Sequence, residues 1–208
     1  MKQKQKTKIS KQRILETALE CFSSQGYRGT SMKDIAARAE ISTGRVYHHF
    51  SNKLELFEQL LEAYWKILRD PDLKLNKLIA AARFPDDIED LAWAIKEIVQ
   101  ENYRYVNLIY IDVIEFNGEH VNRIYANMAN NFRTAYEKRF EELRREGRLK
   151  DGADPYFAVM MTYRFFFHYF VVETSFGVKD HFGLGHEAFV QQSKFHILNG
   201  LIDNGGGV

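Results

Sequence analysis

The 208-residue chain is short of several things at once. It has one cysteine, Cys21, so no disulfide can form within it, and the plain reading of that thiol is a small core residue on the first helix. Only three prolines occur, Pro71, Pro85 and Pro155, which leaves long stretches free for uninterrupted helices. Apolar and polar residues never alternate for long enough to mark a half-buried strand, whereas a period near 3.6 recurs along the chain. The expected fold class is all-α. The most apolar run, residues 156–172, is shorter than a typical membrane span and contains Arg164 and His168, which predicts a buried helix and no membrane partner. The opening Met1-Lys-Gln-Lys-Gln-Lys is not followed by the apolar core of a signal peptide, so the protein is expected to be cytoplasmic.

Enzyme chemistry is equally short of parts. There is no phosphate-binding loop and no nucleophile elbow. His48 and His49 are adjacent, and neighbouring helical side chains point different ways; His181 and His186 flank a glycine loop without a Cys or HExxH-type partner. Acid pairs such as Glu141-Glu142 and Asp86-Asp87 read as solvated helix faces and caps. No catalytic residue, no metal and no cofactor is expected.

Charge of one sign is also scarce in the total, which is +1. The total conceals a division. Residues 1–53 hold eleven Lys or Arg against four acids, or +7, and residues 54–208 hold eighteen against twenty-four, or −6. A basic head on an acidic body has the sign needed to displace counterions from phosphate, although charge alone does not identify DNA.

The local signals in the head are specific. A first helix is expected from about Ser10, with Ile14, Leu15, Ala18, Leu19 and Phe22 on one face and Gly26 as its left-handed terminator. Ser31 caps a short second helix, with Asp34 as the capping-box acid and Met32, Ile35 and Ala36 facing inward. After the turn Ala39-Glu40-Ile41-Ser42, Ser42 caps a third helix over residues 43–49. Two short helices joined by a tight turn, the second polar on one side, make a helix-turn-helix whose second helix enters the major groove. Arg45 can bond guanine O6 and N7, Thr43 can meet a base edge or a thymine methyl, and Gly44 lets the backbone approach. Tyr47 and His49 can reach phosphates, while Val46 and Phe50 pack inward. A fourth helix begins at Ser51-Asn52-Lys53, where the dipole end and Lys53 suit a phosphate. The candidate DNA-binding residues are Ser31, Lys33, Ser42, Thr43, Gly44, Arg45, Tyr47, His48, His49 and Lys53.

The residues Gly29-Thr-Ser-Met-Lys-Asp-Ile-Ala-Ala-Arg-Ala39, Ile41-Ser-Thr-Gly-Arg-Val-Tyr-His-His-Phe50 and Asn52-Lys53 closely resemble the DNA-binding domain of the TetR (tetracycline repressor) family of bacterial regulators. The resemblance covers about 45 residues, and its Tyr-x-His-Phe ending followed by Asn-Lys goes beyond a generic helix-turn-helix. It implies phosphate contacts at Tyr47, His49 and Lys53 and base contacts at Thr43 to Arg45. One position departs from the pattern: Glu40 stands where the turn usually carries Gly. If that site is left-handed, the substitution costs about 1–2 kcal/mol. Glu40 is expected to point away from DNA.

The body reads as a series of helices: residues 73–83, 87–103, 102–116, 119–146 ending at Gly147, 155 to about 175, and 187–202, with residues 177–185 as a loop and 204–207 disordered. The expected division is a helix-turn-helix domain over 1–53 and an effector-binding and dimerisation domain over 54–208. The resemblance implies that the last two helices pair with their twins in a homodimer. The candidates there are Tyr156, Phe166, Phe170, Phe189, Ser193, Ile197 and Gly200. A two-fold dimer sets its recognition helices about 34–36 Å apart and reads a palindrome. The resemblance also implies an effector pocket among the body's aromatics, suited to a small apolar or aromatic molecule, with Tyr103, Asn107, Tyr110, Phe132, Tyr163, Phe167 and His168 as candidates. The chain is thus expected to be a ligand-responsive DNA-binding regulator, a repressor that binds double-stranded DNA. The alternative is a ligand-independent regulator controlled by a protein partner.

Overall fold

The computed structural model describes residues 2–203, apart from the side chains of residues 2–10, 123 and 124; the expected disordered tail, 204–207, lies outside the described residues. The described residues form helices joined by turns and loops, with no strand. The helices are α1 (Lys2–Gln25), α2 (Met32–Arg38), α3 (Thr43–His49), α4 (Lys53–Leu68), α5 (Lys74–Ala81), α6 (Ile88–Glu101), α7 (Tyr103–Glu115), α8 (Asn122–Arg145), α9 (Pro155–Thr174) and α10 (Gly185–Leu201).

Most boundaries follow from the expected caps. Gly26 terminates α1 at φ +76°, with its N–H on the Phe22 carbonyl. Asp154 caps α9 by accepting from the Tyr156 and Phe157 N–H groups, and Pro155 opens the helix where its missing N–H costs nothing. The exception is the start of α1. Helix runs from Lys2 rather than from Ser10. The Lys- and Gln-rich lead contains no Gly or Pro, and both residue types are good helix formers, so nothing stops the helix at Ser10.

The chain forms two compact units. The first comprises residues 1–68 and 104–122, the second residues 69–103 and 123–208. The expected boundary after residue 53 is therefore corrected. The core of the first unit joins Ile14, Ala18, Cys21 and Phe22 of α1, Met32, Ile35 and Ala36 of α2, Val46 of α3, and Leu56, Phe57, Leu60 and Leu61 of α4, with Leu108 of α7. Helices α1 to α3 alone cannot bury so many large side chains between them, each worth about 1.5–3 kcal/mol when fully buried. Helices α4 and α7 complete the core, and Cys21, 1% exposed, sits inside it.

In the second unit α6 packs mainly against α9, with α5 and α10 beside it. Helix α9 buries Val159, Phe166, Tyr169, Phe170 and Val171. Tyr169 stacks on Phe189 of α10 with ring centroids 3.6 Å apart. An antiparallel bridge between Leu149 and Ile202 ties the segment after α8 to the end of α10.

Candidate nucleic-acid interface

The helix-turn-helix is built by its caps. Ser31 Oγ accepts from Asp34 N–H at 3.2 Å while the Asp34 carboxylate accepts from Ser31 N–H at 2.8 Å, a full capping box. The Ser31 hydrogen bonds also hold the Asp34 carboxyl below its usual range. Ser42 Oγ accepts from Arg45 N–H at 3.3 Å and starts α3. Between them Glu40 takes φ +53°, the left-handed conformation that a glycine would adopt more readily. Its carboxylate pairs with the Arg13 guanidinium of α1 at 2.7 Å, which turns it back onto the protein's own surface.

Val46 and Phe50 are buried, at 0% and 1% exposure, so the rest of α3 must face outward. Gly44, Arg45, Tyr47 and His48 are exposed, and Thr43 and His49 are half-buried. A side chain added at Gly44 would meet open space, so its small size serves nothing inside the protein. Ser31 and Lys33 at the start of α2, and Ser42, are exposed as well. His49 is held below its ordinary pKa by partial burial first, then by His48, Arg45 and Lys11. These neighbours make the α3 surface positive.

Lys53 is placed differently from the rest of its set. Its ammonium donates to the Tyr27 and Thr30 carbonyls, both at 2.8 Å, and lies 4.1 Å from the centre of the Tyr27 ring. Two of its three N–H bonds are committed inside the protein, which leaves one for an outside acceptor. Desolvation lowers its pKa, opposed by the nearby Glu115. The start of α4 is also less open than the dipole argument implies. Asn52 Oδ1 caps Glu55 N–H at 2.9 Å, and the Glu55 carboxylate accepts from Ser51 N–H and Oγ.

The sequence reading missed Glu115 and Gly29. Glu115 accepts from the Tyr27 and Arg28 N–H groups at 3.0 and 2.9 Å. A Cβ at Gly29 would stand 2.2 Å from the Gln25 carbonyl oxygen, so only glycine fits there. Gly29 belongs to the quoted motif and could have been singled out. Glu115 lies far along the chain, and no local signal marks it.

In the second unit, a cavity of about 10 Å³ is lined by Ile79, Leu91, Ile95, Phe132, Tyr136, Val159, Thr162 and Tyr163. Of the expected effector residues, Phe132 and Tyr163 line it. Tyr103, Asn107, Tyr110, Phe167 and His168 do not. Asn107 instead faces α1, its amide 3.5 Å from the Ser23 carbonyl, Phe167 stacks on Tyr163, and His168 is exposed. Burial pushes the Tyr163 phenol up to about 12.

Five of the seven expected dimer residues face the protomer's own interior. Phe166, Phe170, Phe189, Ser193 and Ile197 are buried within the protomer, because α9 and α10 use that stripe to pack on their own neighbours. Tyr156 is half-buried, with the Arg133 guanidinium over its ring, and Gly200 is exposed. The large apolar residues that these two helices turn to solvent are Phe157, Met161 and Phe165, spaced four apart on α9, and Phe195 on α10. Among the described residues no group of three or more His, Cys, Asp or Glu is placed to hold a metal ion, and no helix is long and apolar enough to cross a membrane.

Residues 14–60 match the family model described as bacterial regulatory proteins, tetR family. The chain is 32% identical over 124 residues to the HTH-type transcriptional regulator AcrR of Shigella flexneri, a match covering 57% of this chain and 55% of that protein. It is 32% identical over 101 residues to the HTH-type transcriptional repressor KstR2 of Mycobacterium tuberculosis, covering 48% of each. It thus spans about half the length of these relatives. The solved SmeT–triclosan complex shares the fold, with a TM-score of 0.58 at 21% identity over 96% of this chain and 95% of that one.

Proposed function

With residues 14–60 belonging to the tetR family of bacterial regulatory proteins, we propose that the chain is a transcriptional repressor that binds a palindromic operator as a homodimer and is released by a small apolar or aromatic effector. One observation carries this reading. Helix α3 is pinned by a capped turn and by buried Val46 and Phe50, so that Thr43, Gly44, Arg45 and Tyr47 stand outward on a positive surface. That is the arrangement of a groove-reading helix, with side chains suited to base edges at its start and to phosphates further on. Expected partners are double-stranded DNA, a second copy of the chain and the effector. Phe157, Met161, Phe165 and Phe195 supply the apolar face for the second copy.

The effector half of the reading is supported by the aromatic cavity and by the triclosan carried in the SmeT structure. A cavity of about 10 Å³ admits little more than a water, so an effector enters only as the surrounding helices part. Such a ligand binds the opened body and not the closed one, and this difference is what shifts a conformational equilibrium. By linkage, DNA then weakens effector binding by the same factor.

The small cavity also favours a second reading, a DNA-binding regulator without a ligand, controlled by a protein partner. The deciding experiment is selection of bound duplexes from a random pool by the purified chain at physiological salt. A palindrome with half-sites about one helical turn apart supports the dimeric regulator. Weak binding without sequence preference overturns it. The recovered operator then serves as the probe for release by small molecules.

A further inference from the structure

Two buried polar groups of the second unit bear on its cavity: Tyr136, which lines it, and Asp87, one helical turn before the cavity-lining Leu91. Tyr136 is fully buried, and its phenolic oxygen has no hydrogen-bond partner. Asp87, at the start of α6, is 3% exposed, and neither of its carboxylate oxygens meets a donor from another residue. The two groups feel each other, since the Asp87 charge adds to burial in raising the Tyr136 phenol. Their neighbours are committed elsewhere. Asp86 pairs with Arg139 at 2.6 Å, Arg83 pairs with Asp90 at 3.4 Å, and the Thr162 hydroxyl donates to the Ala158 carbonyl at 2.7 Å.

A buried carboxylate with no donor from another residue is costly, and native proteins keep few such groups without a use for them. What would satisfy this one is a positive donor. A neutral hydroxyl would supply one ordinary hydrogen bond, and an anion would be repelled. The remaining walls, among them Leu91, Ile95 and Phe132, suit an apolar body, and the aromatic faces of Phe132 and Tyr163 also attract a cation.

We propose that Asp87 and Tyr136 are the polar anchor of the effector site, and that the effector is an amine whose apolar body fills the opened cavity while its protonated nitrogen donates to Asp87 and to the Tyr136 oxygen. The proposal rests on the effector reading above and adds to it the charge of the ligand. It separates the two ends of the site: α5, α6, α8 and α9 provide the apolar wall, and the start of α6 with the middle of α8 provides the acceptors.

The test uses the purified full chain at neutral pH and three probes with one apolar body: phenylbutylamine, phenylbutanol and phenylbutyrate. Binding is measured by calorimetry, and release is measured on the selected operator. The amine is expected to bind about tenfold or more tightly than the alcohol, as charge-assisted hydrogen bonds are stronger than neutral ones, and the acid more weakly than either. Asp87→Asn is expected to bring the amine down to the level of the alcohol while leaving the alcohol unchanged. Tyr136→Phe is expected to weaken the amine several-fold and keeps the test alive should the first variant not fold. Equal binding of amine and alcohol, or an amine preference that survives in Asp87→Asn, overturns the anchor. If both then still release DNA, the effector reading stands alone. If none of the three binds, the anchor and the effector reading fall together.

Discussion

Lys53 and Glu115 hold one short loop by its two polar sides. The Lys53 ammonium, from the first turn of α4, takes the Tyr27 and Thr30 carbonyls at 2.8 Å each. The Glu115 carboxylate, from the last turn of α7, takes the Tyr27 and Arg28 N–H groups. The loop between α1 and α2 is thereby fixed by charges brought from two other helices. Close approach is part of the arrangement, because a Cβ at Gly26 would stand 2.9 Å from Glu115 Oε1.

Removing the cation tests this tie. Lys53→Met keeps the apolar stem and strands two carbonyls, and is expected to destabilise the first unit by about 1–3 kcal/mol in urea unfolding. A loss well below that range removes Lys53 from the structural role. The same variant separates tie from phosphate contact. A direct contact lowers the salt slope of DNA binding by about one unit, or two per dimer, whereas a structural tie leaves the slope unchanged.

Arg45→Ala probes base reading. Because Arg45 is exposed on α3, its loss is expected to spare stability. On the selected operator it is expected to cost about 1–3 kcal/mol of binding and to relax the preference at one base position. A uniform loss on all sequences refutes the assignment.

Gly29→Ala is expected to destabilise the head by about 2 kcal/mol or more, since the added Cβ meets the backbone oxygen of Gln25 at 2.2 Å and no side chain can yield. Thermal unfolding that matches the parent protein contradicts this steric account.

Asp87 should leave a signature in the pH dependence of stability. Burial pushes its carboxyl up to about 6, a rise partly offset by its own backbone N–H and by Arg83, and reinforced by Asp90 and Asp86. A raised folded-state pKa means that the fold holds the proton more tightly than the unfolded chain does. The resulting stabilisation is complete below the ordinary carboxylate value and is lost as pH rises through about 6. The difference in unfolding free energy between the parent and Asp87→Asn is therefore expected to fall between about pH 4 and 6 and level off above, by about 3 kcal/mol at most. A flat difference across that window contradicts it.

The homodimer reading predicts that Phe165→Asp yields a folded monomer that binds the operator poorly, as measured by sedimentation and by operator titration. Phe165 is 40% exposed in the protomer, whereas the adjacent Phe166 is fully buried, so Phe166→Asp is expected to prevent folding instead. A Phe165→Asp protein that remains a dimer removes that face from the interface.

Much of this protein was legible in local chemistry. Ser31 with Asp34, Ser42, Asn52 and Asp154 each cap the helix that they precede, because a cap needs only a side-chain oxygen within a few residues of free N–H groups. Glu40 is left-handed, the condition under which its departure from Gly is costly, and Val46 and Phe50 are buried where the period of α3 puts them. What local chemistry left open is which stripe of a helix faces what. Helix α9 is apolar on nearly every side, so its period cannot separate the buried Phe166 and Phe170 from the exposed Phe157, Met161 and Phe165. The expected effector residues divide in the same way: Phe132 of α8 lines the cavity, whereas Asn107 of α7 turns to α1, and no local signal separates the two.

The sequence by itself determined the all-helical class, the order of the helices, the capped turn and the outward residues of α3, all of which depend on contacts within a few positions along the chain. Only the tertiary structure decided that Lys53 is tied to Tyr27 and Thr30, that Glu115 closes the same loop, that α4 and α7 complete the head, and that Asp87 and Tyr136 are buried without partners in other residues. Those depend on which distant segments meet, and a pattern read along one helix carries no record of its neighbours.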